Sequence, residues 1–243
     1  MSTIFTSLLK LSRSKVKDPF EAQRIFFENC ARLVIFDVGA YIGETAIKYR
    51  KMFPGATIYC FEPFPDSFQK LQQLSVDHLI KTYQIAISDY RGKAVLHLNM
   101  DQSCNSFFPR PATGVKYYST KAENIGETAV DTTTIDNFCC AENIPRIDIL
   151  KLDVEGAEIK ALKGASDKLS KHAISVIYTE VMFVKHYEGG CLFYELAALL
   201  DQYGYSLFDV YNLKRAKNGQ LRWGNAIFLS PHVRAKSKAG ISA

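Results

Sequence analysis

The sequence predicts an α/β fold in which a mostly parallel sheet of seven strands is covered by helices on both faces. Short apolar segments alternate with amphipathic helical ones along most of the chain, a pattern typical of parallel strands joined by crossover helices. The apolar segment 33–36 runs into a loop that carries two glycines, and a helical pattern follows directly. Only a short loop separates the strand segments 205–211 and 225–229, which predicts a closing antiparallel hairpin.

The predicted helices have recognisable first or last residues. Asp18 can cap a helix whose first position is Pro19, and Gly204 follows the end of another. Pro54 and Gly55 stop the helix that begins after the glycine-bearing loop. The helices are expected at 18–31, 44–52, 65–74, 155–169 and 192–202.

The predicted strands are rich in β-branched and aromatic residues and end at polar or turn residues. The strands of the main sheet are expected at 33–36, 57–61, 81–88, 147–152, 173–179, 205–211 and 225–229. Two further alternating segments, 93–99 and 128–134, interrupt the strand–helix order. They predict an added pair of β-strands, so that an insertion spans about 93–134.

The segment 100–127 between these two strands has little regular pattern. A segment of this length inside a compact domain is usually a lid or binding loop, or else disordered. Its four aromatic residues favour the lid, because disordered segments contain few of them. We expect Ser103, Asn105 and Ser106 to contact the acceptor substrate there.

Positive charge is concentrated at the two ends of the chain. The net charge is +5, yet residues 1–17 and the tail from 232 contain only basic charged residues, which together exceed that excess. We expect a basic N-terminal segment with a helix at 1–31, one domain at 32–231 and a basic flexible tail at 232–243. Because the body carries no net positive charge, the composition argues against a nucleic-acid partner.

The six cysteines show no spacing typical of a metal site, and reduced thiols in a cytoplasmic protein are the default expectation. The apolar patch near the N-terminus precedes its positive charges, an order that does not fit a secretory signal. No apolar segment approaches the length of a membrane span, so stable membrane insertion is not expected.

The loop after the first strand is suited to a nucleotide-containing cofactor, because glycine allows a close backbone approach and the next helix offers unpaired N–H groups. A dinucleotide would require a small residue two positions after Gly39, but Tyr41 stands there. S-adenosylmethionine has no phosphate, so its methionine and ribose parts tolerate this loop. Asp37 suits the ammonium group of that cofactor. Glu62, at the end of the next strand, can accept hydrogen bonds from both ribose hydroxyls.

Four segments resemble the FkbM-type methyltransferase family. They are VIFDVGAYIGETA, IYCFEPFPDSFQKL, TTTIDNF and, most specific of all, IDILKLDVEGAEIKALKGA. The similarity extends over about 34–230, nearly the whole chain apart from its basic ends. It implies the class I, Rossmann-like methyltransferase fold. It also implies an S-adenosylmethionine-dependent O-methyltransferase that acts on hydroxyls of sugars or other secondary metabolites.

The same resemblance implies a set of cofactor contacts. It assigns Asp37, Gly39 and Gly43 of the loop to the methionine part of the cofactor, and we include Ala40 of the same loop among the expected contacts. It assigns Glu62 to the ribose, and Ala86 and Ile87 to the adenine. Tyr41 departs from the family, which commonly has asparagine in this loop, so it receives no role by resemblance.

Methyl transfer to a hydroxyl needs a group that accepts the hydroxyl proton, expected at the C-terminal edge of the sheet. The candidates are Asp153, Glu155, Glu180 and His186. Each also has a structural interpretation: Asp153 can cap the next helix and Glu155 can begin it. Glu180 can anchor a loop, and a single histidine is more often structural. Lys151 should share a face with Asp153 and keep that carboxylate ionised.

The expected partner is a small molecule or glycan with a free hydroxyl, and the oligomeric state is left open. Asp153 and Glu180 could together hold a divalent ion, but no dedicated ligand cluster is visible, so no metal is predicted. The segment LDVEG stands where amine methyltransferases carry a proline-rich segment, which favours oxygen as the acceptor. Two alternatives are a catalytically silent S-adenosylmethionine-binding module and, less favoured, a nicotinamide-dependent oxidoreductase.

Overall fold

A computed structural model describes residues 18–28, 30–111 and 123–239 and confirms the predicted α/β fold within them. The strands of the main sheet are β1 (Val34–Val38), β2 (Thr57–Phe61), β3 (Ile80–Tyr83), β7 (Ile147–Leu152), β8 (Ile174–Met182), β9 (Ser206–Arg215) and β10 (Leu221–Leu229). Their order across the sheet is β3-β2-β1-β7-β8-β10-β9. β10 runs antiparallel to both of its neighbours and the other pairs are parallel, so the closing hairpin is confirmed.

Helices cover both faces of this sheet. They are α1 (Pro19–Phe26), α2 (Glu44–Met52), α3 (Pro65–Leu71), α4 (Ile135–Ala141), α5 (Glu158–Lys163), α6 (Ser166–Ser170), α7 (Phe193–Gln202) and α8 (Pro231–Ala239). One core lies between the sheet and α4–α7, and the other lies between the sheet and α1–α3. Both are rich in aromatic and branched side chains, as expected for strands buried on both faces.

The strand register places three polar side chains on one face of the sheet. Asp37 of β1 is paired with Lys151 of β7, and Lys151 is paired with Tyr178 of β8. Residues that are directly opposite each other in a sheet point to the same face, here the face covered by α1 and α2. Three paired residues on neighbouring strands therefore place an acid, a base and a phenol side by side on one face of the sheet.

A small second sheet contains β4 (Ala86–Ile87), β5 (Gly92–Asn99) and β6 (Asn124–Thr133) in the order β4-β6-β5. The antiparallel pairing of β5 with β6 confirms the added pair of strands. The predicted strand 81–88 is corrected, because β3 ends at Tyr83 in the main sheet whereas β4 pairs with β6 in the small one. The chain thus changes sheets at residues 84–85.

The predicted helix 155–169 is also corrected, because it is divided into α5 and α6 and begins three residues later. Glu155 and Gly156 have φ values of 53° and 96°, which belong to the left-handed region and cannot start a helix. The break between the two helices falls at Gly164, whose missing side chain leaves room for the carbonyl oxygen of Ser88, 2.1 Å from where a Cβ would lie. A helix of full length would exclude that contact.

The segment predicted as a lid is only partly described. Residues 102–104 form a short 3₁₀ helix, and Ser106 forms an isolated antiparallel bridge with His97 of β5. β6 begins at Asn124 rather than at 128, so the irregular part is shorter than predicted. Residues 112–122, with Tyr117 and Tyr118, lie outside the described part of the chain.

Both described ends pack on the domain. The Phe20 ring of α1 lies 5.3 Å from the Tyr49 ring and 5.7 Å from the Tyr178 ring. Residues 232–239 of the tail belong to α8, and Val233 packs against the core, while the flexibility of the tail stays a prediction. The domain limits 32–231 stay a prediction, as does the division of the basic ends from the domain as separate segments. Among the described residues, no helix has both the length and the apolar character that crossing a bilayer requires.

Candidate active site

Two cavities open at the C-terminal edge of the main sheet and share a wall. The small cavity is lined by Glu62, Ile87 and Phe107 among others. The large cavity is lined by His186 and Trp223 among others. The residues common to both linings are Gly39, Tyr41, Ser103, Asp153 and Glu155. A ligand in one cavity can therefore meet a ligand in the other at these side chains.

The loop after β1 forms part of the shared wall because its backbone is held tightly between β2 and β7. Gly39 has a φ of 72°, and a Cβ added to it would lie 1.9 Å from the carbonyl oxygen of Asp153. Only glycine allows this approach. The N–H groups of Gly39 and Ala40 both donate to the carbonyl of Phe61 at 3.0 Å. Ala40 lines the large cavity, whereas Gly39 lines both.

Two more residues of this loop have left-handed backbones. Tyr41 has a φ of 50° and Gly43 a φ of 89°. Asparagine tolerates this region better than tyrosine does, which gives a physical reason for the asparagine that is common here in the resembling family. Gly43 precedes the first residue of α2 and lines neither cavity, and its contact with the cofactor stays a prediction.

Glu62 is the acid of the small cavity. Its Oε2 accepts a hydrogen bond from the Tyr41 N–H at 3.0 Å and its Oε1 accepts one from the Phe64 N–H at 2.9 Å. The side chain is 8% exposed, and this burial raises its pKa to about 7, against the two backbone donors, which lower it. The carboxylate is thus fixed in orientation at the position predicted for a ribose ligand.

Apolar residues line the opposite part of the small cavity. Ala86 and Ile87 of β4 are buried and face it, together with Ile85, Leu96 and Phe107. This lining suits a flat aromatic ring. The structure therefore brings the residues predicted for adenine and for ribose to the same cavity.

Asp37 lies elsewhere than we expected. Its side chain is fully buried, lines neither cavity and forms an ion pair with Lys151, Nζ to Oδ1 2.9 Å. Lys151 Nζ also donates to the carbonyl of Gly39 at 2.9 Å. The pKa of Lys151 is raised, because attraction by Asp37 and Asp153 outweighs the cost of burial. Asp37 thus acts on the glycine loop through Lys151, since strand alternation directs its side chain under α2 and not into the cleft.

Asp153, Glu155 and Glu180 come together where the cavities meet. One carboxylate oxygen of each lies within 4.8 Å of the others. The parallel register explains part of this arrangement, because Asp153 and Glu180 each lie two residues beyond the paired Lys151 and Tyr178. Burial first, and then the neighbouring carboxylates, raises the pKa of Glu155 to about 8 and that of Glu180 well above its usual range.

Tyr187 and Ser106 hold Glu155 in this cluster, and sequence reasoning missed both roles. The Tyr187 hydroxyl donates to Glu155 Oε2 at 2.6 Å, and the Ser106 hydroxyl donates to the Glu155 carbonyl at 2.7 Å. Tyr187 also lies 3.1 Å from the carbonyl oxygen of Cys104. Both contacts join distant loops, and the only indication of Tyr187 in the sequence was its position next to His186.

His186 is buried in the large cavity near two arginines. Burial, followed by the positive charges of Arg222 and Arg110, lowers its pKa to about 3. The Arg110 guanidinium lies 4.1 Å from the centre of the Tyr187 ring. An imidazole in this environment stays neutral and holds a proton poorly, which weakens the prediction that it accepts one during catalysis.

Three curated relatives match this chain over part of their lengths. The 2-O-methyltransferase NoeI of Sinorhizobium fredii is 28% identical over 175 residues, which cover 69% of this chain and 70% of that protein. The 31-O-demethyl-FK506 methyltransferase FkbM of Streptomyces tacrolimicus is 30% identical over 155 residues, covering 55% and 60%. The hexuronic acid methyltransferase AglP of Haloferax volcanii is 28% identical over 154 residues, covering 61% and 55%.

A family profile described as the methyltransferase FkbM domain matches residues 37–207, more than two thirds of the chain. The match includes the glycine loop, Glu62, the small second sheet and the three clustered acids. It confirms the predicted methyltransferase activity and S-adenosylmethionine as its methyl donor. The chain belongs to the FkbM methyltransferase domain family.

Proposed function

We propose that this chain transfers a methyl group from S-adenosylmethionine to a hydroxyl of a sugar, a glycan or a related metabolite. One observation carries the proposal: the small and large cavities share Asp153 and Glu155. A donor in the small cavity and an acceptor in the large one would meet at carboxylates. Two of the relatives are named for O-methylation, and a third is named a hexuronic acid methyltransferase.

In the small cavity, the donor would be held by Gly39, Glu62, Ala86 and Ile87, four of the seven residues predicted to contact it. Glu62 would accept hydrogen bonds from the ribose hydroxyls, and Ala86 and Ile87 would contact the adenine. The backbone of Gly39 and Ala40 would adjoin the methionine part. The supporting observation is that Glu62, Ala86 and Gly39 line one cavity.

The reaction is an in-line displacement. The acceptor oxygen forms a bond to the methyl carbon while the carbon–sulfur bond breaks, and the bonding electrons stay on sulfur as S-adenosylhomocysteine. The hydroxyl proton passes to the carboxylate cluster of Asp153, Glu155 and Glu180. Positioning of the two reactants supplies most of the acceleration, and a placed base typically adds about 10²–10⁴-fold. His186 is less suited as the base, because its pKa is lowered to about 3.

The large cavity would accept the substrate. Its lining combines an aromatic surface at Trp223 with the cations Lys48, Arg110 and Arg222. Aromatic faces suit sugar rings, and the cations suit polar or acidic substituents. We also propose a cytoplasmic location without a nucleic-acid partner, supported by six cysteines that form no disulfide and by a body without net positive charge.

The test is a transfer assay with methyl-labelled S-adenosylmethionine and a panel of neutral and acidic sugars. We expect label in an O-methyl product and a loss of at least about 10²-fold in kcat for Asp153→Asn. Glu188→Gln, an exposed acid on the loop after β8, is the matched control and should keep full activity. Binding of S-adenosylhomocysteine without transfer to any hydroxyl would instead support the silent binding module. Selective binding of NAD would support the oxidoreductase.

A further inference from the structure

We propose that Asp153, Glu155 and Glu180 together bind one divalent cation, of the Mg²⁺, Mn²⁺ or Ca²⁺ class, between the two cavities. Each residue offers a carboxylate oxygen, and these oxygens lie within 4.8 Å of one another. The site itself stands on this geometry. Its role in catalysis rests on the proposed function above.

An independent observation on Glu180 points to a missing ligand. The residue is 9% exposed, and its Oε2 is buried without a hydrogen-bond partner among the residues that the structure describes. A buried carboxylate oxygen that receives no donor is costly, so native proteins rarely leave one. The Glu180 carboxylate belongs to the cluster, so a cation held there would supply the missing interaction.

Neighbouring groups only partly compensate the three acids. Lys151 Nζ lies 3.7 Å from Asp153 Oδ2, but it is committed to Asp37 at 2.9 Å and to the carbonyl of Gly39. The Tyr187 hydroxyl is a neutral donor to Glu155, and the positive charge of Arg110 also acts on Glu155. A bound dication would balance most of the remaining negative charge.

The chemistry of the ligands selects the kind of metal. Three carboxylates, with no thiolate or imidazole in the group, suit hard cations and not zinc or copper. Metal–oxygen bonds are about 2.3–2.6 Å long for Ca²⁺ and about 2.0–2.1 Å for Mg²⁺. The three oxygens lie within 4.8 Å of one another, so small movements of the carboxylate side chains would bring all of them into contact with one cation. Ca²⁺ requires the smaller movement.

Such a cation would have positions left for the acceptor. Three protein oxygens fill half of an octahedral shell, and both Asp153 and Glu180 line the large cavity. Two substrate oxygens and one water, or one substrate oxygen and two waters, would complete the shell. A cation in contact with the acceptor hydroxyl lowers the pKa of that hydroxyl and fixes its direction toward the methyl group.

Binding is tested on the full-length chain after treatment with a chelator, by calorimetric titration with MnCl₂ and then with CaCl₂. We expect one Mn²⁺ per chain, and a loss of at least tenfold in affinity for Glu180→Gln and for Asp153→Asn. Glu180→Gln should fold, because it removes a repulsive charge while keeping the shape of the side chain. Glu188→Gln should bind Mn²⁺ as the wild type does.

Two results would overturn the site. One is the absence of Mn²⁺ and Ca²⁺ binding by the wild type up to about 10 mM, beyond the range of weak carboxylate sites. The other is equal Mn²⁺ affinity in the wild type and Glu180→Gln, which would place any bound ion elsewhere.

Activity then separates the site from the proposed function. With S-adenosylhomocysteine binding verified, chelation should reduce methyl transfer at least tenfold, and added Mn²⁺ should restore it. Transfer at an unchanged rate in the chelator would refute the catalytic role of the cation but leave the methyltransferase intact. Mn²⁺ binding at the cluster without methylation of any hydroxyl would refute the proposed function but leave the cation site intact.

Discussion

Glu62 should make both folding and cofactor binding depend on pH. Its pKa is raised from 4.5 to about 7 by burial, and two backbone donors limit the rise. The folded chain thus binds this proton more tightly than the unfolded chain. The contribution of Glu62 to the free energy of unfolding is therefore largest below about pH 4.5. It falls as the pH rises from there to the folded-state pKa of about 7, and then levels off. The shift corresponds to about 3 kcal/mol over that window.

The assay is urea unfolding of the wild type and Glu62→Gln between pH 4.5 and pH 8. The difference between the two curves isolates this residue from all other titrating groups. Glutamine keeps one acceptor for the N–H groups of Tyr41 and Phe64, so the variant should fold. We expect the wild type to lose stability relative to Glu62→Gln as the pH rises. A flat difference curve would refute the argument that burial dominates at this carboxylate.

Cofactor binding should favour the ionised form of Glu62, whereas folding favours the protonated form. Ribose hydroxyls donate to the ionised form, so S-adenosylhomocysteine should displace the proton of Glu62. At pH 6 the free protein carries about 0.9 of this proton, and at pH 8 about 0.1. Calorimetry in two buffers of different ionisation enthalpy should thus detect proton release at pH 6 that disappears in Glu62→Gln. Equal proton release by the two proteins would remove Glu62 from the ribose site.

Three further predictions concern the support of the site. Gly39→Ala should cost more than about 3 kcal/mol of unfolding free energy, whereas Gly219→Ala, also at positive φ but with open space around it, should cost only about 1 kcal/mol by urea unfolding. Equal costs would show that backbone strain alone matters. Lys151→Met should cost about 3–5 kcal/mol, because it leaves Asp37 buried and unpaired, and adding Asp37→Asn should recover much of the loss. If Lys151→Met alone is as stable as the wild type, the ion pair between Lys151 and Asp37 does not contribute to stability. Tyr187→Phe should cost about 1–2 kcal/mol and lower kcat more than it changes KM, which a steady-state assay would show; unchanged kcat would limit Tyr187 to packing.

The sequence was informative wherever strand periodicity decides the position of a side chain. The order of strands and helices, the closing hairpin and the position of Asp153 and Glu180 at one edge all follow from alternation and from parallel register. The same rule, applied one step further, would have placed Asp37 opposite Lys151 and away from the cleft. The prediction that Asp37 contacts the cofactor rested on its place near the end of a strand and did not consider the face of the sheet to which its side chain points.

Loop conformations could not be derived in this way. Glu155 begins no helix because its backbone is left-handed, and its carboxylate is held by a tyrosine 32 residues further along the chain. Ser106 reaches the same residue across 49 positions. Such contacts depend on the exact path of two loops, which no local pattern specifies. The local pattern likewise could not show that the strand predicted at 81–88 divides between two sheets, because its second half pairs with β6, which is distant in the sequence.

The acids at this edge differ in how their charge is compensated, and the difference supports the proposed place of the reaction. Asp37 has a lysine at 2.9 Å, and Glu62 receives two backbone donors while keeping a place in the small cavity. The cluster of Asp153, Glu155 and Glu180 has one phenol at close range, a lysine at 3.7 Å and the positive charge of Arg110. Grouping three carboxylates costs stability, because replacing one of them by an amide would relieve the repulsion. The cluster is therefore best explained by what it binds: a cation, the acceptor hydroxyl, or both at the point where the two cavities meet.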